Sequence, residues 1–133
     1  MINPPNIPCK IDINCTLNPS EDKSKLEHMF SNIFPGHIPK TSNRSLYSTI
    51  KDIYALEKIY ETIHSRKTQR AYRRQLKKNL LNDSTWFYLN KQAAFMNVIA
   101  LCENADESPL GPIKIILTSN SIEDLIGWLV SEQ

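Results

Sequence analysis

Between Arg66 and Lys78 the chain places seven cations, Arg66, Lys67, Arg70, Arg73, Arg74, Lys77 and Lys78, and no anion. On a continuous helix all seven fall within an arc of roughly 140°, with Ala71, Tyr72, Leu76 and Leu80 pointing elsewhere. A stripe of this kind suits the spacing of backbone phosphates and supplies salt-sensitive affinity for nucleic acid without reading its sequence. The alternative is a solvated face that keeps the protein soluble, or one paired with carboxylates of a neighbouring helix such as Glu57 and Glu61. The 133 residues hold 16 Lys and Arg against 14 Asp and Glu, a net charge of +2. This near-neutral total hides a separation of charge, because all 14 anions lie outside the basic segment.

Other residue types offer weaker chemistry. Trp86 and Tyr88 share one strand face, where aromatic rings can stack unpaired bases or be covered by a partner subunit. No motif of the RNA-recognition type accompanies them. Trp128 falls beside the apolar stripe of the last helical segment, as an interface anchor or as a cover for the edge of its own core. Lys91, within Asn90-Lys91-Gln92, either presents a charge to an anionic ligand or belongs to a tight turn shaped by Asn90. His28, His37 and His64 are isolated, without the spacing of a zinc site. Glu103, Asp106 and Glu107 cluster in one loop that either holds a hard cation or is solvated. Neither a GxSxG elbow nor a phosphate-cradling glycine loop is readable, and only 3 glycines exist to build one. The expectation is a non-enzymatic protein without metal or cofactor.

Three cysteines make an odd count. Cys9 and Cys15, six apart in an extended segment, lie roughly 20 Å from each other, beyond disulfide reach. All three read as small core hydrophobes of a reducing compartment. The opening residues lack a basic and an apolar region of secretory type, and the longest apolar run, Val98 to Cys102, is far below a membrane span. A cytoplasmic location is expected.

The elements that must position these groups follow from periodicity. Ile7, Cys9, Ile11, Ile13, Cys15 and Leu17 alternate with polar residues and predict a strand. Asn18-Pro19-Ser20-Glu21 has the form of a capping box opening a helix with Leu26, Met29, Phe30 and Ile33 inward, ended by Pro35-Gly36. A short extended piece is expected near residues 37–40. Leu46, Ile50, Ile53, Leu56, Tyr60 and Ile63 predict a long helix, and residues 66–81 a second, basic helical stretch, either continuous with the first or broken near Ser65. Thr85–Leu89, Phe95–Cys102 and Ile113–Thr118 predict strands, and Ser121 opens a final helix on Ile122, Leu125, Ile126 and Leu129. The order β-α-(β)-α-α-β-β-β-α predicts an α+β domain over residues 1–133, with an antiparallel sheet, helices on one face and the first six residues disordered.

Two stretches, Phe87-Tyr-Leu-Asn-Lys-Gln-Ala-Ala-Phe95 and Glu107-Ser-Pro-Leu-Gly-Pro-Ile113, resemble an archaeal family of unassigned activity, uncharacterised protein family 0201. Asn18-Pro19-Ser20-Glu21-Asp22 and the closing segment with Asp124-Leu125-Ile126-Gly127-Trp128-Leu129 extend the likeness over nearly the whole chain. The resemblance implies a topology similar to an rRNA-binding protein of the large ribosomal subunit, and a homodimer; it implies no activity. This chain has Tyr72-Arg73-Arg74 where the family pattern places an acidic residue and small residues. A basic surface there is therefore particular to this member, with RNA as its expected partner. The alternative is a homodimeric assembly module without a nucleic-acid role.

Overall fold

Six strands form one antiparallel sheet in the computed structural model, which describes residues 2–132. In chain order the strands are β1 (Lys10–Thr16), β2 (Lys40–Thr41), β3 (Ser45–Ile50), β4 (Ser84–Leu89), β5 (Leu101–Cys102) and β6 (Ile113–Thr118). Across the sheet they run β2-β3-β1-β6-β4-β5. The helices are α1 (Lys23–Ile33), α2 (Glu57–Ser65), α3 (Gln69–Lys78), α4 (Lys91–Phe95) and α5 (Ile122–Leu129), with a 3-10 turn at Ile53–Leu56 leading into α2. The α+β class and the one-sided arrangement agree with the expectation.

Strict alternation explains the one-sidedness. Ile11, Ile13 and Cys15 of β1, Phe87 and Leu89 of β4, and Ile113, Ile115 and Leu117 of β6 are all buried. The register aligns them on one face: Ile13 pairs with Ile115, which pairs with Phe87. Onto that face pack Leu26, Met29, Phe30 and Ile33 of α1, Ile59 and Ile63 of α2, Tyr72 and Leu76 of α3, and the apolar stripe of α5. Their neighbours in sequence face the other way, on a side no helix covers.

Several expectations are corrected. The long helix from Leu46 to Ile63 is instead β3, then the 3-10 turn, then α2. Leu46 and Ile50 are four apart, a spacing that puts two residues on one side of either a helix or a strand, so the pattern is degenerate there. Asp52 ends the ambiguity by accepting the Tyr54 N–H at 3.0 Å and opening the turn. For the basic segment, the break near Ser65 holds and continuity with α2 does not. Lys67 adopts φ 56°, the left-handed region, and the amides of Lys67 and Thr68 donate back to the carbonyls of His64 and Ile63. This is a Schellman stop with lysine where glycine is usual.

The strand expected over Phe95–Cys102 shrinks to the two residues of β5. Asn90 accepts the Ala93 N–H at 2.9 Å and caps α4, which Asn97 at φ 59° then terminates. At the N-terminal box, Glu21 Oε1 accepts from the Asn18 N–H at 2.9 Å, yet α1 starts later, capped by Asp22. In the stretch 1–6 expected to be disordered, Met1 lies outside the described residues and Ile2 is buried.

Candidate nucleic-acid interface

The cationic face exists because the opposite side of α3 is anchored. Tyr72 and Leu76 are buried. The Tyr72 ring meets Phe87 of β4 edge-on, 5.7 Å between centroids. Asn79 just past the helix donates from Nδ2 to the Trp86 carbonyl at 2.9 Å. With that side held against β4, Arg70, Arg73, Arg74, Lys77 and Lys78 project from the other side over an arc of roughly 140°. Arg66 and Lys67 join them from the turn that precedes the helix. Lys77 and Lys78 in the last turn also complement the negative end of the helix dipole.

Among the described residues two carboxylates approach this face. Glu132 Oε1 lies 3.0 Å from Arg73 Nη1 and 3.6 Å from Arg70 Nε. Glu103 Oε1 lies 3.5 Å from Arg74 Nη1. Arg73 is tied down further, donating from Nη2 to the Val130 carbonyl at 2.7 Å. Its hydrogen bond and positive charge, with a lesser contribution from Arg70, hold the Glu132 carboxyl below the usual range. Arg70 and Arg74 keep side-chain exposures of 88% and 65%. Pairs this exposed are screened by water and contribute little, so a phosphate can replace the carboxylate at little cost. Arg66, Lys67, Lys77 and Lys78 are exposed, and among the described residues no carboxylate bridges to them. The face therefore carries a large local excess of positive charge, with Arg73 serving the fold as much as the surface.

Lys91 does not join this face, and of its two readings the one as a charge presented to an anionic ligand is overturned. Its side chain is fully buried beside Glu21, with Nζ 3.2 Å from Oε1, and donates to the carbonyls of Thr16 at 2.8 Å and Leu110 at 2.7 Å. All three ammonium hydrogens are used inside the protein, at a junction of β1, the α1 entry and the loop before β6.

The aromatic candidates separate. Trp128 stacks on Tyr60 at 4.7 Å, and Tyr60 on His64 at 3.9 Å, so Trp128 covers the seam between α5 and α2. His64 is engaged through Nε2 with the Leu129 carbonyl at 3.0 Å. Trp86 and Tyr88 are half-buried on the uncovered side of the sheet, 4.8 Å between ring centroids. The Lys114 ammonium lies 4.5 Å above the Trp86 ring. Tyr47, 44% exposed on the same side, escaped sequence reading because β3 read as helix. Lys114 had a signal, being a polar position in the alternation of Ile113–Thr118.

Burial pushes the Cys9 and Cys15 thiols up to about 11, and among the described residues no cluster of His, Cys, Asp and Glu could hold a metal. Among the described residues no helix is long and apolar enough to cross a membrane.

Residues 10–119 match a family model described as RNA binding. A UPF0201 protein of Methanothermobacter thermautotrophicus is 32% identical over 123 residues, covering 92% of each chain. The chain belongs to the UPF0201 family. A second UPF0201 relative, from Sulfurisphaera tokodaii, is 34% identical over 125 residues, covering 90% of this chain and 86% of its own. The crystal structure of a UPF0201 protein from Methanococcus jannaschii superposes with a TM-score of 0.78 at 25% identity, covering 93% of this chain and 94% of that one. UPF0201 membership thus accounts for the fold along nearly the full length, and the matched segment contains all of α3 and the whole sheet.

Proposed function

We propose that this UPF0201 protein binds RNA, without catalysis or cofactor, by capturing the phosphate backbone on the exposed face of α3. It acts as a cytoplasmic protein. The observation that carries the reading is the charge count on that face: seven cations, six of them exposed, approached by two carboxylates. The description of the matching family model as RNA binding supports RNA as the ligand, whereas the placement on α3 rests on the charge count alone. Contacts of this kind position a nucleic acid and carry no sequence information, so affinity for generic duplex RNA is expected.

The test is a salt titration of duplex RNA binding. With about four to five phosphates engaged, the log–log slope should be roughly −3 to −5. Reversal of three exposed cations, Arg70→Glu, Arg74→Glu and Lys78→Glu together, should weaken binding at least about a hundredfold at low salt. Arg73 is left intact because it holds the C-terminal segment. Unchanged affinity in the reversed variant, or no binding by the wild type at low salt, overturns the reading.

A further inference from the structure

We propose that the uncovered side of the sheet is a second, separate RNA surface that takes unpaired nucleotides by stacking. The strand register lines up the relevant groups. Lys40 of β2 pairs with Tyr47 of β3, Tyr47 with Asn14 of β1, Asn14 with Lys114 of β6, and Lys114 with Tyr88 of β4. One transverse row thus reads cation, ring, amide, cation, ring. Trp86 lies two residues from Tyr88 on the same side, under the Lys114 ammonium. Tyr47 and Tyr88 stand three strand spacings apart, about 14 Å, a gap that an intervening nucleotide bridges.

Charge and polarity select the occupant. The one carboxylate in the neighbouring row, Asp12, is already engaged by Lys10 at 3.6 Å and by the Thr49 hydroxyl at 2.6 Å. Among the described residues no carboxylate bridges to Lys40 or Lys114, the cations beside the rings. A second copy of this chain would be a poor cover. It would bring Lys114, in the middle of the sheet, toward like charge, and would bury the amide of Asn14 and the hydroxyl of Thr49, with Ile116 as the one aliphatic side chain among the rings. A duplex fits no better, because its base faces are occupied by stacking. Splayed bases with a trailing phosphate backbone match both the rings and the cations, and stacking on rings tolerates any base.

This surface is distinct from α3, which packs on the helix-covered side of β4 through Tyr72 and Phe87. The choice of RNA as ligand rests on the reading above, whereas the location does not.

The experiment uses the full chain and two probes, a labelled decauridylate single strand and a blunt RNA duplex, followed by fluorescence anisotropy. Tyr47→Ala with Tyr88→Ala should weaken decauridylate binding by about thirtyfold or more and leave duplex binding unchanged. Tyr47→Phe with Tyr88→Phe keeps the rings and should bind like the wild type, which separates stacking from a folding defect. Tryptophan fluorescence should also be quenched by decauridylate in a Trp128→Phe background, where Trp86 is the only reporter. If decauridylate does not bind while the duplex does, this inference falls and the α3 reading stands. Should decauridylate bind with unchanged affinity to the alanine pair, the inference is likewise overturned. A dimer by light scattering that the alanine pair dissociates would also overturn it, by assigning the face to a second copy. Failure of both probes removes both readings.

Discussion

Replacing Lys91 by Met keeps the length and apolar volume of the side chain and deletes only its charge and three donors. The fully buried Lys91 side chain faces a Glu21 side chain that is 6% exposed. Deletion strands that carboxylate together with the Thr16 and Leu110 carbonyls. Breaking a buried pair from one side costs about 3–5 kcal/mol. For a chain of this length the unfolding entropy is roughly 0.28 kcal/mol/K, so Lys91→Met should lower Tm by about 10–18 °C. The pH dependence gives a sharper check. Burial pushes the Glu21 carboxyl upward, but the backbone and side-chain donors of Asn18, together with Lys91, outweigh it and hold the group below its ordinary value. The wild type therefore has this stabilisation in full above the ordinary carboxylate range and loses it as pH falls through the lowered value. Without Lys91 the opposition to burial weakens and the group titrates higher. The deficit of Lys91→Met should accordingly be largest near neutrality and shrink toward pH 4. Denaturant unfolding at both pH values measures it. Adding Glu21→Gln should recover part of the loss, since the neutral amide oxygen still accepts from Asn18. A deficit below about 1 kcal/mol, or one equal at both pH values, would refute the reasoning. Duplex RNA affinity of the folded variant should match the wild type, because Nζ never reaches the surface.

Two further outcomes follow from local geometry. Lys67 holds a left-handed backbone that glycine adopts without cost, so Lys67→Gly should raise stability by about 0.5–1 kcal/mol in urea unfolding; it should also reduce the RNA salt slope by about 1 if this ammonium neutralises a phosphate. Trp128→Ala removes the ring stacked on Tyr60 and should destabilise by about 2–3 kcal/mol with no change of mass in light scattering. A smaller mass at undiminished stability would instead make Trp128 an anchor between copies.

Legibility in the sequence followed the strength of the period. β1 alternates apolar and polar residues over its full length and was readable as a strand with one face inward, whereas β6 was readable as a strand only from its β-branched residues, because the run Ile115-Ile116-Leu117 leaves its inward face open. α5 was readable from its stripe, and the charge segregation at 66–78 was evident by inspection. β3 was not, because its inward Leu46 and Ile50 are separated by a polar Ser48, leaving an i, i+4 pair that serves a helix equally well. A break near Ser65 was one of two readings of the basic segment; the stops themselves, at Lys67 and Asn97, were hidden because neither is a glycine, although both take the backbone a glycine would. Lys91 was misassigned for a different reason. Its partner is 70 positions away in sequence, and no local pattern reports such a pairing. The same limit concealed the row from Lys40 to Tyr88, which exists only through strand register.

The two proposed RNA surfaces share one positioning element, and that connects fold to function. β4 turns Thr85, Phe87 and Leu89 toward the helices and Trp86 and Tyr88 away from them. Phe87 seats Tyr72 and so orients the cationic side of α3 outward, while the Trp86 carbonyl holds Asn79 at the end of that helix. A slip of one residue in the pairing of β4 with β6 would reverse both faces, burying Trp86 and Tyr88 and exposing the seat of α3. What protects against this slip is the match of three inward pairs, Thr85 with Leu117, Phe87 with Ile115 and Leu89 with Ile113, all buried. The core of β4 thus specifies a fold and, by the same alternation, which side of the strand can present rings and which side supports the cations.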